Sequence, residues 1–346
     1  MGPVSYRQSR LRRLIDAPVA SGGDYVLYWT QVYRRLERNH ALDYALRCAE
    51  ELGRPLVVYE GLRIDYHWAS QRHHRFVLEG MQANATRAAE LGLSYWPFVE
   101  TERGQGRGLL RRLSERACLV VTDDFPCFIL PAQAEALARK VAVPVFAVDS
   151  NSVVPLSLLG PAVSAAAQLR PRIHKAFAEA WPHRAAAKPR VPDVVTKRVK
   201  APFDTWKAKD VAAFVDALPV DSSVPAVEGM PGGAPAARAR LREFLRRRLR
   251  GYAEARSEPG SPAEAYRTLE HLNNKYALDG RDPNSYTGIL WCFGLFDRPW
   301  PPERKIFGSV RYMSSENTAR KFDVKPYYAY IEGLPTIAEA RSGRTA

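Results

Sequence analysis

The stretch HLNNKYALDGRDPNSYTGILWCFG, residues 271–294, concentrates asparagine, aspartate, arginine and aromatic side chains around two glycines. The sequence before it predicts a helix that ends at Gly280, and RDPNSYTG predicts a sharp turn before an apolar segment with Trp291. A polar turn between two packed helices is poorly suited to a core. Its carboxylates and guanidinium groups could instead hold hydroxyl or phosphate oxygens, and an asparagine could bond a ring nitrogen. We therefore predict a cavity for a large, flat, polyhydroxylated ligand.

Positive charge is the second chemical signal. The formal net charge of +14 favours an anionic partner, most often nucleic acid, although a GC-rich genome that prefers arginine would give the same excess. Residues 236–256 hold eight arginines and two glutamates. The apolar residues Leu241, Phe244, Leu245, Leu249 and Tyr252 recur there at helical spacing. This helix either binds phosphates or docks by its apolar stripe with solvated arginines, and the sequence slightly favours docking.

Cysteine usage and hydropathy limit the compartment. The four cysteines form no CxxC pair, and their spacing suits neither a zinc site nor a disulfide framework. The first residues lack the apolar core of a signal peptide, and no apolar run approaches the length of a membrane span. We expect a soluble cytoplasmic protein with no metal site and no membrane partner.

The first half of the chain alternates short apolar runs with longer amphipathic stretches. The apolar runs are 25–29, 55–62, 93–100, 117–125 and 143–150, and the helical stretches between them are 33–52, 67–92, 106–116 and 131–141. Strands this apolar are typical of a sheet covered on both faces. The alternation predicts an α/β fold, a doubly wound five-stranded parallel sheet over residues 24–150.

Acidic residues end two of these strands. Asp123, Asp124 and Asp149 could contact a nucleotide-like ligand, because such sheets bind ligands at the carboxyl ends of their strands. Helix capping or turn formation is the favoured role for each residue taken singly. GQGRG, residues 104–108, could contact a phosphate, but a flexible loop is the favoured interpretation. His67, His73 and His74 have no metal-pair spacing, so we interpret them as surface or packing histidines.

Irregular segments divide the rest of the chain. Residues 182–202 are rich in proline and basic residues, residues 219–235 are rich in proline, glycine and serine, and a short helix is predicted at 205–218. The predicted organisation is an α/β domain at 1–160, a connector at 161–235 and a truncated helical domain at 236–346.

Long motifs resemble those of DNA photolyases, specifically the class II branch of the photolyase/cryptochrome family. LNNKYALDGRDPNSYTGILW followed by ERKIFGSVRYMSSENTARKF is similar to the C-terminal end of that branch. VLYWTQVYRRLERNHALDYAL, VTDDFPCFILP and VFAVDSNSVVPL resemble its α/β domain, and LPVDSSVPAVEGMPGGAPAARARLREFLRRRL resembles its connector. The resemblance covers nearly the whole chain, but no motif identifies an antenna chromophore.

The resemblance implies light-driven repair of cyclobutane pyrimidine dimers in DNA, with FAD as the electron donor and the dimer extruded from the duplex. It implies that Asn273 faces the flavin N5 and that Trp291 packs against the extruded dimer. It places the polar turn of Asp279, Arg281 and Asp282 beside the flavin. The basic residues implied to meet DNA phosphates are Arg304, Lys305, Arg311, Arg320 and Lys321.

The chain departs from the family after residue 256. RSEPGSP, residues 256–262, leads directly into the final helices, where the family has a long helical run that grips the FAD phosphates and carries the electron-transfer tryptophans. No segment of this chain matches those motifs. We therefore expect weak or no stoichiometric FAD binding, because a large cofactor needs walls on most sides. A non-catalytic nucleotide- or DNA-binding remnant is the alternative.

Overall fold

Six strands form one sheet in the computed structural model, which describes residues 8–66, 68–127, 129–161 and 166–252. The strands are β1 (Leu11–Arg13), β2 (Tyr25–Thr30), β3 (Leu56–Leu62), β4 (Ser94–Val99), β5 (Ala117–Asp123) and β6 (Val145–Val148). Their order is β1-β6-β5-β2-β3-β4, and all neighbours from β2 to β6 are parallel. The predicted doubly wound five-stranded parallel sheet is confirmed.

The edge strand β1 is the difference from the prediction. It pairs antiparallel with β6, with Leu11 opposite Val148 and Arg13 opposite Phe146. Three residues, two of them arginine, carry no alternation that marks a strand in sequence. The segment is extended because β6 offers it unpaired backbone groups, so only the fold reveals it.

Seven α-helices accompany the sheet in the described residues. They are α1 (His40–Glu51), α2 (Gln71–Leu91), α3 (Leu109–Glu115), α4 (Leu130–Ala138), α5 (Ala166–Ala180), α6 (Val211–Asp216) and α7 (Ala234–Arg247). The Asn39 side chain caps α1 by accepting hydrogen bonds from the amides of Ala41 and Leu42. Gly92, with φ of 71°, ends α2 in the left-handed conformation that glycine adopts without strain. The first four helices fall in the stretches predicted from sequence.

Alternate residues of the central strand build two cores, one on each face of the sheet. Val26 and Tyr28 of β2 pack in a cluster with α1 and with Ala88 of α2. Tyr25 and Leu27 face the other way, into a cluster with residues of α3 and α4. Helices therefore cover both faces, as the apolar strands predict.

Residues after 160 pack on this sheet rather than merely linking it to another domain. Val211 and Val215 of α6 lie in a cluster with Leu78 and Met81 of α2. The Phe203 ring makes edge contacts with three aromatic rings of the sheet, those of Tyr59, Trp96 and Phe98. Helix α5 lies in the predicted connector, where the sequence predicted a helix only at residues 205–218.

The chain divides into two compact units, residues 1–238 and residues 239–346. The described part of the second unit ends at residue 252. The helical domain at 236–346 thus lies almost wholly outside the described residues. The three-part organisation stays a prediction.

Candidate functional site

The carboxylate of Asp123 lies at the carboxyl end of β5, where the strand order reverses between β2 and β5. It is buried, which raises its pKa above the ordinary aspartate value. Its Oδ2 accepts hydrogen bonds from the backbone amides of Gln31, Val32 and Tyr33 at 2.8 to 3.0 Å. Its Oδ1 accepts one from the Tyr28 hydroxyl at 2.8 Å. Asp123 thus fastens the loop after β2 over the crevice in which doubly wound sheets usually bind ligands.

Asn39 extends this network to the start of α1. Its Nδ2 donates to the Tyr28 hydroxyl at 2.8 Å and to the backbone carbonyl of Arg35 at 3.0 Å. Because its Oδ1 also caps α1, one side chain ties together the loop, the strand and the helix. The sequence predicted that this helix begins near residue 33. It begins at His40 instead, because Asn39 holds the preceding residues in a loop.

Asp149, which follows β6, also bonds to its own chain. Its Oδ2 accepts from the Leu156 amide at 2.7 Å, and its Oδ1 accepts from the Asn151 amide at 2.8 Å. The buried Arg10 donates to the Asp149 carbonyl at 2.9 Å. Asp124 pairs with Arg12 at 2.8 Å near the surface. Asp149 therefore has the turn-forming role predicted from sequence, whereas Asp124 forms an ion pair and Asp123 holds a loop about 90 residues away in sequence.

An ion pair with a buried carboxylate connects β3 with the loop after β2. Glu60 is fully buried, and its Oε1 lies 3.1 Å from Nη1 of Arg34. Its Oε2 accepts hydrogen bonds from Asn84 at 3.0 Å and from the Tyr95 hydroxyl at 2.6 Å. Burial and the neighbouring carboxylate hold the pKa of Tyr95 well above its ordinary value. Arg34, Asn84 and Tyr95 thus satisfy both oxygens of the Glu60 carboxylate, so we interpret the cluster as structural.

Glu100, after β4, organises the glycine-rich loop. Its Oε1 accepts from the Gly106 amide at 2.9 Å, and the Gln105 side chain accepts from the Thr101 amide at 3.0 Å. The loop amides are therefore used internally, which argues against a phosphate cradle at residues 104–108.

The histidines are packing and surface residues, as interpreted from sequence. His74 is buried, stacks on Tyr66, and has the backbone carbonyls of Ser70 and Arg63 within 3.0 and 3.2 Å of its ring nitrogens. Burial lowers its pKa below the ordinary histidine value, while the two backbone carbonyls oppose that shift. His67 lies outside the described residues. Among those described, no group of three His, Cys, Asp or Glu side chains could hold a metal ion.

A cleft of about 430 Å³ lies between α1 and residues 182–190. Four arginines line it, Arg10, Arg47, Arg184 and Arg190, against two acidic residues, Asp43 and Glu50. Burial, together with Arg10 and Arg35, lowers the pKa of His40 in its wall to about 4. The cleft is therefore a positively charged recess with a neutral imidazole, suited to an anionic ligand. Sequence reasoning missed it because its walls come from segments more than a hundred residues apart.

Helix α7 has the basic and apolar faces that its sequence predicts. None of its residues is buried, and Leu241, Leu245 and Leu249 are each about half exposed. The interpretation that the stripe docks the helix therefore finds no support in the described part of the chain. The helix remains an unassigned basic amphipathic element.

The site residues that the resemblance assigns lie outside the described residues. This holds for the catalytic and flavin-binding assignments Asn273, Asp279, Arg281, Asp282 and Trp291, and for the DNA-binding assignments Arg304, Lys305, Arg311, Arg320 and Lys321. The described structure thus tests the α/β domain but not the predicted flavin cavity. No helix in the described part is long and apolar enough to cross a membrane.

Comparison with known proteins identifies relatives of one kind. The deoxyribodipyrimidine photo-lyase of Methanothermobacter thermautotrophicus is 24% identical over 458 aligned positions, covering 94% of this chain and 98% of that protein. The photo-lyase of Oryza sativa is 44% identical over 82 residues, which are 23% of this chain and 16% of the plant protein. That of Potorous tridactylus is 46% identical over 68 residues, which are 19% of this chain and 13% of that protein. No protein-family model matches the chain.

The archaeal alignment also shows an internal difference in length. The alignment has 458 positions, whereas this chain has 346 residues. The difference, 458 minus 346, means that at least 112 aligned positions are gaps in this chain. This agrees with the missing helical run inferred from sequence. A class III photolyase structure from Agrobacterium tumefaciens gives a TM-score of 0.47 at 18% identity, covering 72% of this chain and 50% of that one.

The motifs quoted from the sequence, the parallel sheet they predict and the near full-length archaeal match point to one origin. The chain is a shortened relative of the deoxyribodipyrimidine photo-lyases.

Proposed function

We propose that this chain binds DNA that contains pyrimidine dimers and repairs it by light-driven, FAD-dependent chemistry, at an activity lowered by its shortened helical part. The observation that supports the activity is the alignment with 98% of an archaeal deoxyribodipyrimidine photo-lyase. The observation that supports the lowered activity is the gap of at least 112 positions within the same alignment, taken from 458 positions and 346 residues.

The proposed roles rest on sequence, because the residues lie beyond the described structure. When bound, reduced FAD supplies the excited electron donor that splits the dimer. Asn273 would hydrogen-bond the ring at N5, and the turn of Asp279, Arg281 and Asp282 would hold the hydroxyl and phosphate oxygens. Trp291 would replace the stacking that the extruded dimer loses on leaving the duplex.

Flavin content tests the proposal most directly. We expect purified protein to carry clearly less than one FAD per chain, because one wall of a cavity cannot bury a cofactor of this size. The measurement is the visible absorption spectrum, with released flavin quantified after denaturation. The archaeal relative, purified in parallel, is the matched control. One tightly bound FAD per chain and repair equal to that of the control would contradict the lowered activity.

A non-catalytic DNA-binding remnant is the second candidate, favoured by the same internal gap. It differs from the first in having neither flavin nor repair. Complete loss of light-dependent dimer splitting, even with added FAD, together with retained DNA binding would select it.

Salt dependence tests the DNA contacts proposed for Arg304, Lys305, Arg311, Arg320 and Lys321. Each phosphate contact on duplex DNA should contribute a slope of about −0.9 to log K against log salt, because it releases condensed counterions. We expect a steep slope and little preference for irradiated over plain duplex, since only Trp291 remains to line a dimer pocket. A competition titration at two salt concentrations measures both. Strong preference for irradiated duplex would mean that the shortened chain still assembles a dimer-binding cavity.

A further inference from the structure

Helix α5 exposes a ridge of planar and basic side chains. Arg170, His174 and Phe177 lie four and three residues apart, so they share one face of α5. Trp181 follows directly after the helix, and all four residues are exposed. The adjoining face, with Ile173, packs against the turn after β6. The ridge is thus a solvent face of a docked helix, not an unpacked core.

Three planar groups at the end of this ridge are stacked. The rings of Phe177 and Trp181 are 5.5 Å apart with 29° between their planes, and the Arg184 guanidinium lies 4.8 Å from the Trp181 ring centre. Phe177 is 43% exposed and Trp181 is 49% exposed. Large aromatic rings at the surface lose hydrophobic stabilisation, so an exposed pair of this kind marks a binding surface more often than a structural one.

The surroundings of the stack are strongly positive. Residues 166–200 contain nine Lys and Arg against two Asp and Glu, a net charge of +7 and half of the total of +14. Lys175 and Lys188 are exposed and make no ion pair with any residue that the structure describes. Arg190, by contrast, is held by both carboxylate oxygens of Glu50 at 2.9 Å.

The charged cleft adjoins the stack through Arg184, which both lines the cleft and lies over Trp181. On the opposite wall, Arg47 lies over the Tyr44 ring at 5.5 Å and makes no hydrogen bond to a described residue. Planar groups and guanidinium groups thus alternate from the ridge into a recess of about 430 Å³.

We propose that α5 and residues 182–190 form a binding surface for single-stranded nucleic acid, separate from the dimer site assigned to the C-terminal segment. Unpaired bases stack on the Phe177, Trp181 and Arg184 planes, while Lys175 and Lys188 contact phosphates. The combination favours this ligand because aromatic stacking beside a basic groove is how unpaired strands are bound without sequence preference. Duplex DNA keeps its bases stacked internally and cannot use the aromatic groups.

Replacement of Trp181 by alanine tests the stacking. The affinity of the full chain for a fluorescein-labelled oligothymidylate should fall at least about fivefold, the lower end of what loss of one stacked base costs. Trp181→Phe should retain part of the affinity. Phe76→Ala is the matched control, because Phe76 is 52% exposed but its neighbour Arg75 is already paired with Glu79. Duplex binding should be unchanged in all three variants, which separates this surface from the proposed repair site.

Lysine replacements test the phosphate contacts. On a single strand each contact contributes about −0.7 to the salt slope, so Lys188→Gln should make the slope shallower by about that amount. Arg116→Gln, whose arginine pairs with Asp24 at 2.8 Å and is not part of this surface, should leave the slope unchanged.

Three results would overturn the proposal. Oligothymidylate binding by Trp181→Ala equal to that of the unaltered chain excludes stacking. If Trp181→Ala lowers the affinity for polyphosphate, which has no bases, as much as that for oligothymidylate, the effect is one of charge and not of stacking. The third result is that oligothymidylate does not bind at all. Trp181-dependent binding to phosphatidylserine vesicles would then assign the surface to a membrane, and Trp181-dependent self-association in sedimentation would assign it to a second copy.

Discussion

Asp123→Ala should lower the free energy of unfolding by about 3 to 5 kcal/mol. Asp123 is buried and accepts hydrogen bonds from the amides of Gln31, Val32 and Tyr33 as well as from Tyr28. Alanine leaves four donors without their acceptor, of which those of Tyr28 and Tyr33 are buried and cannot bond to water instead. Urea denaturation followed by circular dichroism measures the change.

The neighbouring aspartate is a close control. Asp124 pairs with Arg12 near the surface, where an ion pair is worth about 0 to 1 kcal/mol, so Asp124→Ala should have little effect. Asp123→Asn should lie between the two, because an amide oxygen can still accept from the backbone while the Tyr28 proton loses its acceptor. Equal destabilisation by the two alanine replacements would contradict the fastening role of Asp123.

Arg34→Ala should lower the free energy of unfolding by about 3 to 5 kcal/mol, because it leaves the Glu60 carboxylate buried without its cation. Arg34 lies 3.1 Å from the fully buried Glu60, and it also donates to the backbone carbonyls of Gln31 and Gly61 at 3.1 and 3.0 Å. The same urea titration measures the loss.

A matched ion pair separates burial from charge. Arg190 binds Glu50 through two hydrogen bonds of 2.9 Å, but its side chain is 79% exposed, so Arg190→Ala should cost less than about 1 kcal/mol. Adding Glu60→Gln to Arg34→Ala should recover part of the loss, because the uncompensated charge is then gone. A double variant as unstable as the sum of the two single ones would show that the pair is not coupled.

The described α/β domain offers few side chains for binding a ligand at the ends of its strands. The carboxylates near the carboxyl ends of its strands bond to the loops of this chain, and the glycine-rich loop uses its amides internally. The residues that the resemblance assigns to flavin, dimer and DNA all lie in the C-terminal segment instead. On the surface proposed at α5, by contrast, aromatic and basic groups are exposed.

Sequence by itself determined the parallel sheet and its helices. Strands buried on both faces must be apolar along their whole length, and right-handed connections between them need amphipathic helices, so both patterns are written locally. The polar turn around Asp282 and Trp291 rests on a contiguous motif and stays a prediction. The turn formed by Asp149 could also be predicted from residue type, whereas the distant contacts of Asp123 and Asp124 could not.

Only the tertiary structure decided which groups meet across long distances. Strand β1 exists because β6 offers it a partner, and α5 forms in a segment where no helix was predicted. The Arg34–Glu60 pair and the basic cleft join residues that no local pattern connects. The physical reason is that burial depends on packing between distant segments. The local sequence around a charged or aromatic residue is the same whether that residue is paired or exposed, and only packing determines which partner it contacts.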